Sequence, residues 1–152
     1  MHPTVERFVE RLGLLWEVEG LPRIAGKIFG FLLLEGGQLT LEELAEALQV
    51  SRGSVSTNTR LLEAQGSVER VTRPGDRRVY YRVTEEPYRA SLERMVRRLR
   101  RTCDLISEVE DGFPPEMEEG VARLGEMSLF YARAIDAAVE FLHEWEGAHA
   151  AT

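Results

Sequence analysis

The chain has 152 residues, 43% apolar and 30% charged, with a net charge of −7, a balance suited to one soluble domain or a small domain with extra helices. No apolar run approaches the roughly 18–20 residues of a membrane span, the longest being 28–34, and the N-terminus lacks the basic and apolar regions of a signal peptide. Cys103 is the only cysteine, which excludes an intrachain disulfide and predicts a cytoplasmic protein.

Residues 4–19 predict an amphipathic helix that Thr4 can cap, with Val5, Phe8, Val9, Leu12, Leu15 and Trp16 on one face. Gly20 and Pro22 break it. Pro22 suits the first turn of a second helix, 22–34, which is apolar nearly all round and so expected at the centre. Thr40 and Glu43 have capping-box spacing and open a helix that runs to about Gln49. Ser51 caps the next helix, which ends near Gln65 with Gly66 behind it. Two short helices around a tight turn predict a helix-turn-helix. Val68 and Val71 mark one strand; in a second, Val79, Tyr81 and Val83 alternate with Arg78, Tyr80 and Arg82. Pro74-Gly75-Asp76 is the turn between them. A long helix from Pro87 to about Asp111 and a last one over 116–146, with a heptad-like apolar seam, complete the chain.

The charge is unevenly spread. Between Arg52 and Arg101, 13 arginines face 6 acids, a local charge of +7, and the remainder carries −14. A DNA duplex feels the field within about 8–10 Å, so the basic middle matters more than the total. At 100° per residue, Val55, Thr59 and Leu62 fall inward on the helix from Ser51, while Gly53, Ser56, Thr57 and Arg60 fall outward, with Ser54 on the flank. A small polar first turn can enter a major groove, where bulky apolar groups would block approach. Thr57 and Arg60 are the expected base readers, since arginine can donate two bonds to guanine. Arg73, Arg77 and Arg78 at the hairpin tip suit phosphate or narrow minor-groove contact. Asp76 is expected to have a structural role, salt-bridged to one of them.

The capped helix, the run SRGSVS, Leu62-Glu63 shortly before Gly66, and the ribbon PGDRRVYYRV resemble the winged helix of MarR-type transcriptional regulators, and in particular the GbsR branch, over residues 22–86. The resemblance implies a mainly α protein with a small β-wing: an N-terminal helix over 1–21, a winged helix-turn-helix over 22–86, and a C-terminal helical dimerisation region over 87–152. It also implies a homodimer on a pseudo-palindromic DNA site, with contacts from Ser51, Arg52, Gly53, Ser54, Ser56, Thr57, Arg60, Arg73, Arg77 and Arg78. Asn58 and Thr59 depart from the pattern, standing where many members carry apolar residues. Either the helix packs less tightly or Asn58 has a polar task.

Other features are weaker. Arg94, Arg97, Arg98, Arg100 and Arg101 crowd one helix, as a solvated face, a partner for Glu116, Glu118 and Glu119, or a flank contact to DNA. Trp16, Phe130, Tyr131, Phe141 and Trp145 could line an effector pocket, a quaternary amine being the class the resemblance suggests; aromatic packing is the plainer reading. Glu140 and His143 have Glu-x-x-His spacing without a second copy, so no metal is expected, and no cofactor. No nucleophile–base pair or phosphate loop stands out, so no enzyme is expected. The function read from the sequence is a DNA-binding regulator, a repressor by promoter occlusion; the alternative is a winged-helix adaptor that does not read DNA.

Overall fold

The computed structural model describes residues 1–149, so the last three residues of the expected C-terminal region lie outside the described part. The elements are α1 (Pro3–Val18), α2 (Arg23–Glu35), β1 (Leu39–Thr40), α3 (Leu41–Leu48), α4 (Arg52–Ala64), β2 (Val68–Thr72), β3 (Val79–Val83), α5 (Pro87–Val109) and α6 (Glu118–His149), with two 3₁₀ turns between α5 and α6. This is a winged-helix fold, mostly helical with a small antiparallel sheet. The chain divides into two compact units, Met1–Ser91 and Leu92–Thr152.

In the first unit α2 is central, as its all-round apolar sequence predicts. Ile28, Phe31 and Leu32 are buried with Val9 of α1, Leu44 and Leu48 of α3, Val55 and Leu62 of α4, Val68 of β2 and Tyr81 of β3. α1 lies close against α2 because glycines face each other: a Cβ on Gly26 would stand 3.0 Å from Gly13 Cα and 3.1 Å from the Leu12 carbonyl oxygen. Glu10 of α1 ties the pair together, accepting from Lys27 Nζ at 2.6 Å and Arg23 Nη2 at 2.9 Å. The start of α1 differs from expectation. The His2 ring nitrogen accepts from the Thr4 N–H, so His2 is the cap and Thr4 is already helical.

The capping box of α3 forms as predicted. Glu43 N–H donates to Thr40 Oγ1 at 3.2 Å, and Thr40 N–H donates to Glu43 Oε2 at 2.7 Å. These donors, the backbone one first, hold the Glu43 carboxyl below its ordinary value. α3 ends at Gln49, whose φ of 54° is the one left-handed backbone among the described non-glycine residues. The sheet has three strands, in the order β1-β3-β2, rather than the two of the ribbon alone. Leu39 and Thr40 pair with Tyr81 and Tyr80. A two-residue strand has too little period to be visible in a sequence.

In the second unit Val96 of α5 and Ile135 and Ala138 of α6 are buried together, with Leu92, Leu99, Cys103 and Val139 against them. Other apolar residues of α6 stay in solvent: Leu129 is 62% exposed and Phe130 71%. No helix among the described residues is long and apolar enough to cross a membrane.

Candidate nucleic-acid interface

The polar face of α4 is set by what its other face buries. Val55, Thr59 and Leu62 are fully buried, as the helical wheel places them, and Gly53, Thr57 and Arg60 are exposed. Ser56 is half-buried. Ser51 caps the helix, its Oγ accepting from the Ser54 N–H at 3.1 Å and donating to Ser54 Oγ at 3.0 Å. Both hydroxyls are therefore partly used in holding the first turn. Arg52, the first helical residue, pairs with Glu42 of α3 at 2.9 Å across the helix-turn-helix.

The two unusual residues have defined tasks. Asn58 is buried, and its Nδ2 donates to the Ser54 carbonyl at 2.8 Å. Thr59 donates its hydroxyl to the Ser56 carbonyl at 3.1 Å. Each polar group thus bonds back onto its own helix, which removes the cost of burying it unpaired. Of the two explanations the sequence leaves for Asn58, the structure favours the polar task.

The wing turns at Arg73–Asp76, where Asp76 N–H donates to the Arg73 carbonyl at 3.1 Å and Gly75 has φ +78°. Proline second and a positive-φ glycine third is the pattern of a type II turn. Asp76 then gathers the wing. It accepts from Arg78 Nη2 at 2.8 Å, from the Arg78 backbone N–H at 2.9 Å and from the Tyr80 hydroxyl at 2.7 Å. The Arg78 guanidinium, its backbone N–H and the Tyr80 hydroxyl, in that order, hold the Asp76 carboxyl well below the usual carboxylate range. The same bond raises the Tyr80 hydroxyl above its ordinary value. The structural role expected of Asp76 is what is found.

Strand alternation puts Tyr80 on the outer face with Arg78 and Arg82, yet it is only 2% exposed. The Arg73 guanidinium lies over its ring, 3.8 Å from the centroid, and Arg73 Nε donates to Gln38 Oε1 at 3.2 Å. Cation and ring cover each other, which alternation cannot report. The three wing arginines are therefore not equivalent. Arg73 is stacked and Arg78 is pinned by Asp76. Arg77 has neither an ion pair nor a side-chain hydrogen bond among the described residues.

α4 and the wing enclose one cleft of about 410 Å³. Arg52, Ser56 and Arg60 line it from α4, and Arg77 and Arg78 from the wing. Gly53, Ser54, Thr57 and Arg73 are not among its lining residues. Arg70 of β2 also faces the cleft, 3.8 Å from Glu63. Sequence reasoning missed it because a lone arginine on a strand carries no motif, although its place in the basic stretch was a signal.

The aromatic residues considered for an effector do not gather within either unit. Trp16 stacks on Phe29 in the first unit, ring centroids 5.6 Å apart. In the second, Phe130 meets Tyr131 at 6.2 Å and Phe141 meets Trp145 at 6.0 Å. Those two pairs stand about three helical turns apart on α6. No group of metal-binding side chains occurs among the described residues.

A family model for the MarR family matches residues 19–79, the stretch that holds α2, the helix-turn-helix and most of the wing. The crystal structure of a transcriptional regulator superposes with a TM-score of 0.83 at 32% identity, covering 95% of this chain and 99% of that one. The chain belongs to the MarR family. Among curated relatives, the HTH-type transcriptional regulator MmpR5 of Mycobacterium tuberculosis is 38% identical over 104 residues, 68% of this chain. That match spans 63% of the length of MmpR5. YvaV of Bacillus subtilis is 26% identical over 133 residues, 78% of this chain and 74% of its own. In this MarR-family chain the matched stretch contains all ten residues singled out for DNA contact, from Ser51 to Arg78.

Proposed function

We propose that this protein binds double-stranded DNA sequence-specifically as a homodimer and represses transcription by covering a promoter. One observation carries the reading: Ser56 and Arg60 of α4 and Arg77 of the wing converge on a single cleft. A helix that enters the major groove needs small polar residues and a long donor on one face. A wing beside it needs a cation free to meet phosphate or the minor groove. In this reading Arg60 and Thr57 read bases, and Arg77 anchors the wing. Ser51, Arg52, Gly53, Ser54 and Ser56 meet the backbone around the helix N-terminus. Arg73 and Arg78 support Arg77 more than they bind.

Homodimerisation is supported by the apolar side chains left in solvent on α6 and on α1, where Leu15 is 54% exposed and Val18 87%. Two-fold symmetry would present two recognition helices about one helical turn apart to a pseudo-palindromic site. The GbsR branch is the proposed subgroup, on the strength of Ser51-Arg52-Gly53 with Val55-Ser56 and the wing Pro74-Gly75 with Arg77-Arg78. The cytoplasm is the proposed location.

Selection of bound sequences from a random DNA pool tests the reading, followed by titration of the recovered duplex. Arg60→Ala is expected to weaken it by about 5- to 150-fold, the equivalent of roughly 1–3 kcal/mol, and to relax preference at one base. Arg77→Ala should weaken all sequences alike. Unchanged specific binding in both variants would refute the site. A monomer by light scattering at micromolar concentration would refute the dimer.

A further inference from the structure

A second cationic surface lies outside the helix-turn-helix and the wing. On α5, Arg94, Arg97, Arg98 and Arg101, with Thr102 and Leu105, line a shallow groove of about 530 Å³. The spacing of three, four and seven residues puts all four arginines on one helical face. They run along about 10 Å of helix axis. No carboxylate of the described residues lines this groove, whereas Glu42 and Glu63 share the α4–wing cleft with its arginines.

The pairing that the sequence suggested is not what the second unit contains. Glu116, Glu118 and Glu119 are not at the groove, and Glu119 stands 3.8 Å from Arg123 of its own helix. Arg97 reaches Glu93 at 3.7 Å, an exposed pair one turn away. Such pairs contribute little. Arg98 and Arg101 have no ion pair among the described residues. Burial, and then the charge of Arg97, pull Arg94 below its ordinary value. Arg98 and Arg101, three residues apart on one face, carry charges that no acid of the described residues offsets. Guanidinium groups stay charged and offer forked donors that fit phosphate oxygens. The row also closes the basic stretch that begins at Arg52.

We propose that the arginine row of α5 is a second contact to the DNA backbone, holding phosphates of the duplex without reading its sequence. It rests on the DNA-binding function proposed above. A row of cations along one face of a helix suits a ligand whose charges repeat along a line, as phosphates do in DNA. The acidic side chains of a second copy of this chain are the competing occupant, and the experiment separates the two.

The test compares the full-length protein with Arg98→Gln/Arg101→Gln and with Arg98→Lys/Arg101→Lys. All three side chains have similar helix propensity, so α5 is retained. Binding is followed by fluorescence anisotropy over a range of salt concentrations, on a duplex recovered by selection and on a 40-base-pair duplex of random sequence. Each lost phosphate contact removes about 0.9 from the slope of log affinity against log salt. The glutamine variant should lose about 1.8 on both duplexes, with the ratio of the two affinities unchanged, and the lysine variant should keep the wild-type slope. Equal slopes in wild type and the glutamine variant would overturn the proposal. A weakened dimer in sedimentation with an unchanged slope would also overturn it, and would assign the row to a second copy. If the wild type bound both duplexes equally, the sequence-specific reading would fail, while the slope on the random duplex would still decide the role of the row.

Discussion

Gly26 and Gly30 stand one turn apart on α2, both facing α1, and alanine at the two positions should have opposite effects on stability. Alanine in a helix is favoured over glycine by about 1 kcal/mol. Against this stands the new Cβ. At Gly26 it would lie 3.0 Å from Gly13 Cα, 3.0 Å from Trp16 Cγ and 3.1 Å from the Leu12 carbonyl oxygen. Two of these are backbone atoms of α1. The third belongs to a ring held by its stack on Phe29. Relief requires α1 to move as a body, and overpacking of that kind costs roughly 1–3 kcal/mol. Gly26→Ala should therefore lose up to about 2 kcal/mol net. At Gly30 the closest approach is shorter, 2.8 Å, but it is to Leu12 Cδ2, the end of a rotatable side chain. Phe8, 3.3 Å away, is 41% exposed and can swing outward. Gly30→Ala should be neutral or up to about 1 kcal/mol stabilising. Urea unfolding at one protein concentration gives both midpoints, a fixed concentration being needed wherever association contributes. If Gly26→Ala is more stable than wild type, or Gly30→Ala loses as much as or more than Gly26→Ala, the close-approach argument is wrong.

Two further predictions concern the helix-turn-helix. Thr40→Ala removes the N-cap of α3 and should cost about 1 kcal/mol in the same urea assay. Glu43 is depressed in the fold, so its share of stability is present above the ordinary value of 4.5 and lost as pH falls through the folded value. The gap between wild type and Thr40→Ala should thus narrow below pH 4.5 without closing, since the bond from Glu43 N–H to Thr40 Oγ1 persists; a gap that widens in acid would contradict the capping-box account. Gln49→Gly should stabilise by up to about 1 kcal/mol, because a side chain in the left-handed region costs more than glycine loses in chain freedom. A destabilised Gln49→Gly protein would mean that the glutamine side chain has a role beyond the turn.

Local pattern carried much of this fold. The inward set Val55, Thr59 and Leu62, the Thr40–Glu43 box, the Pro74–Asp76 turn and the central α2 are all short-range signals, written within one or two turns of chain. So was the polar outer face of α4 that makes Arg60 a candidate reader. What the sequence could not report depends on pairs far apart along the chain. Gln38 reaches Arg73 across 35 residues. Arg73 covers Tyr80, so a residue that shares its strand face with two arginines is buried. Arg70 faces the α4–wing cleft only because β2 lies beside that helix. The inequality of the wing arginines arises the same way: composition supplies three equal cations, and the geometry of Asp76, Tyr80 and Gln38 decides which two are engaged within the fold. By itself the sequence determined the periodicities, the caps and where the positive charge lies, because each is a property of neighbouring residues. Tertiary structure decided how closely α1 approaches α2 and which charged groups neutralise one another, because those depend on distances that only a folded chain fixes.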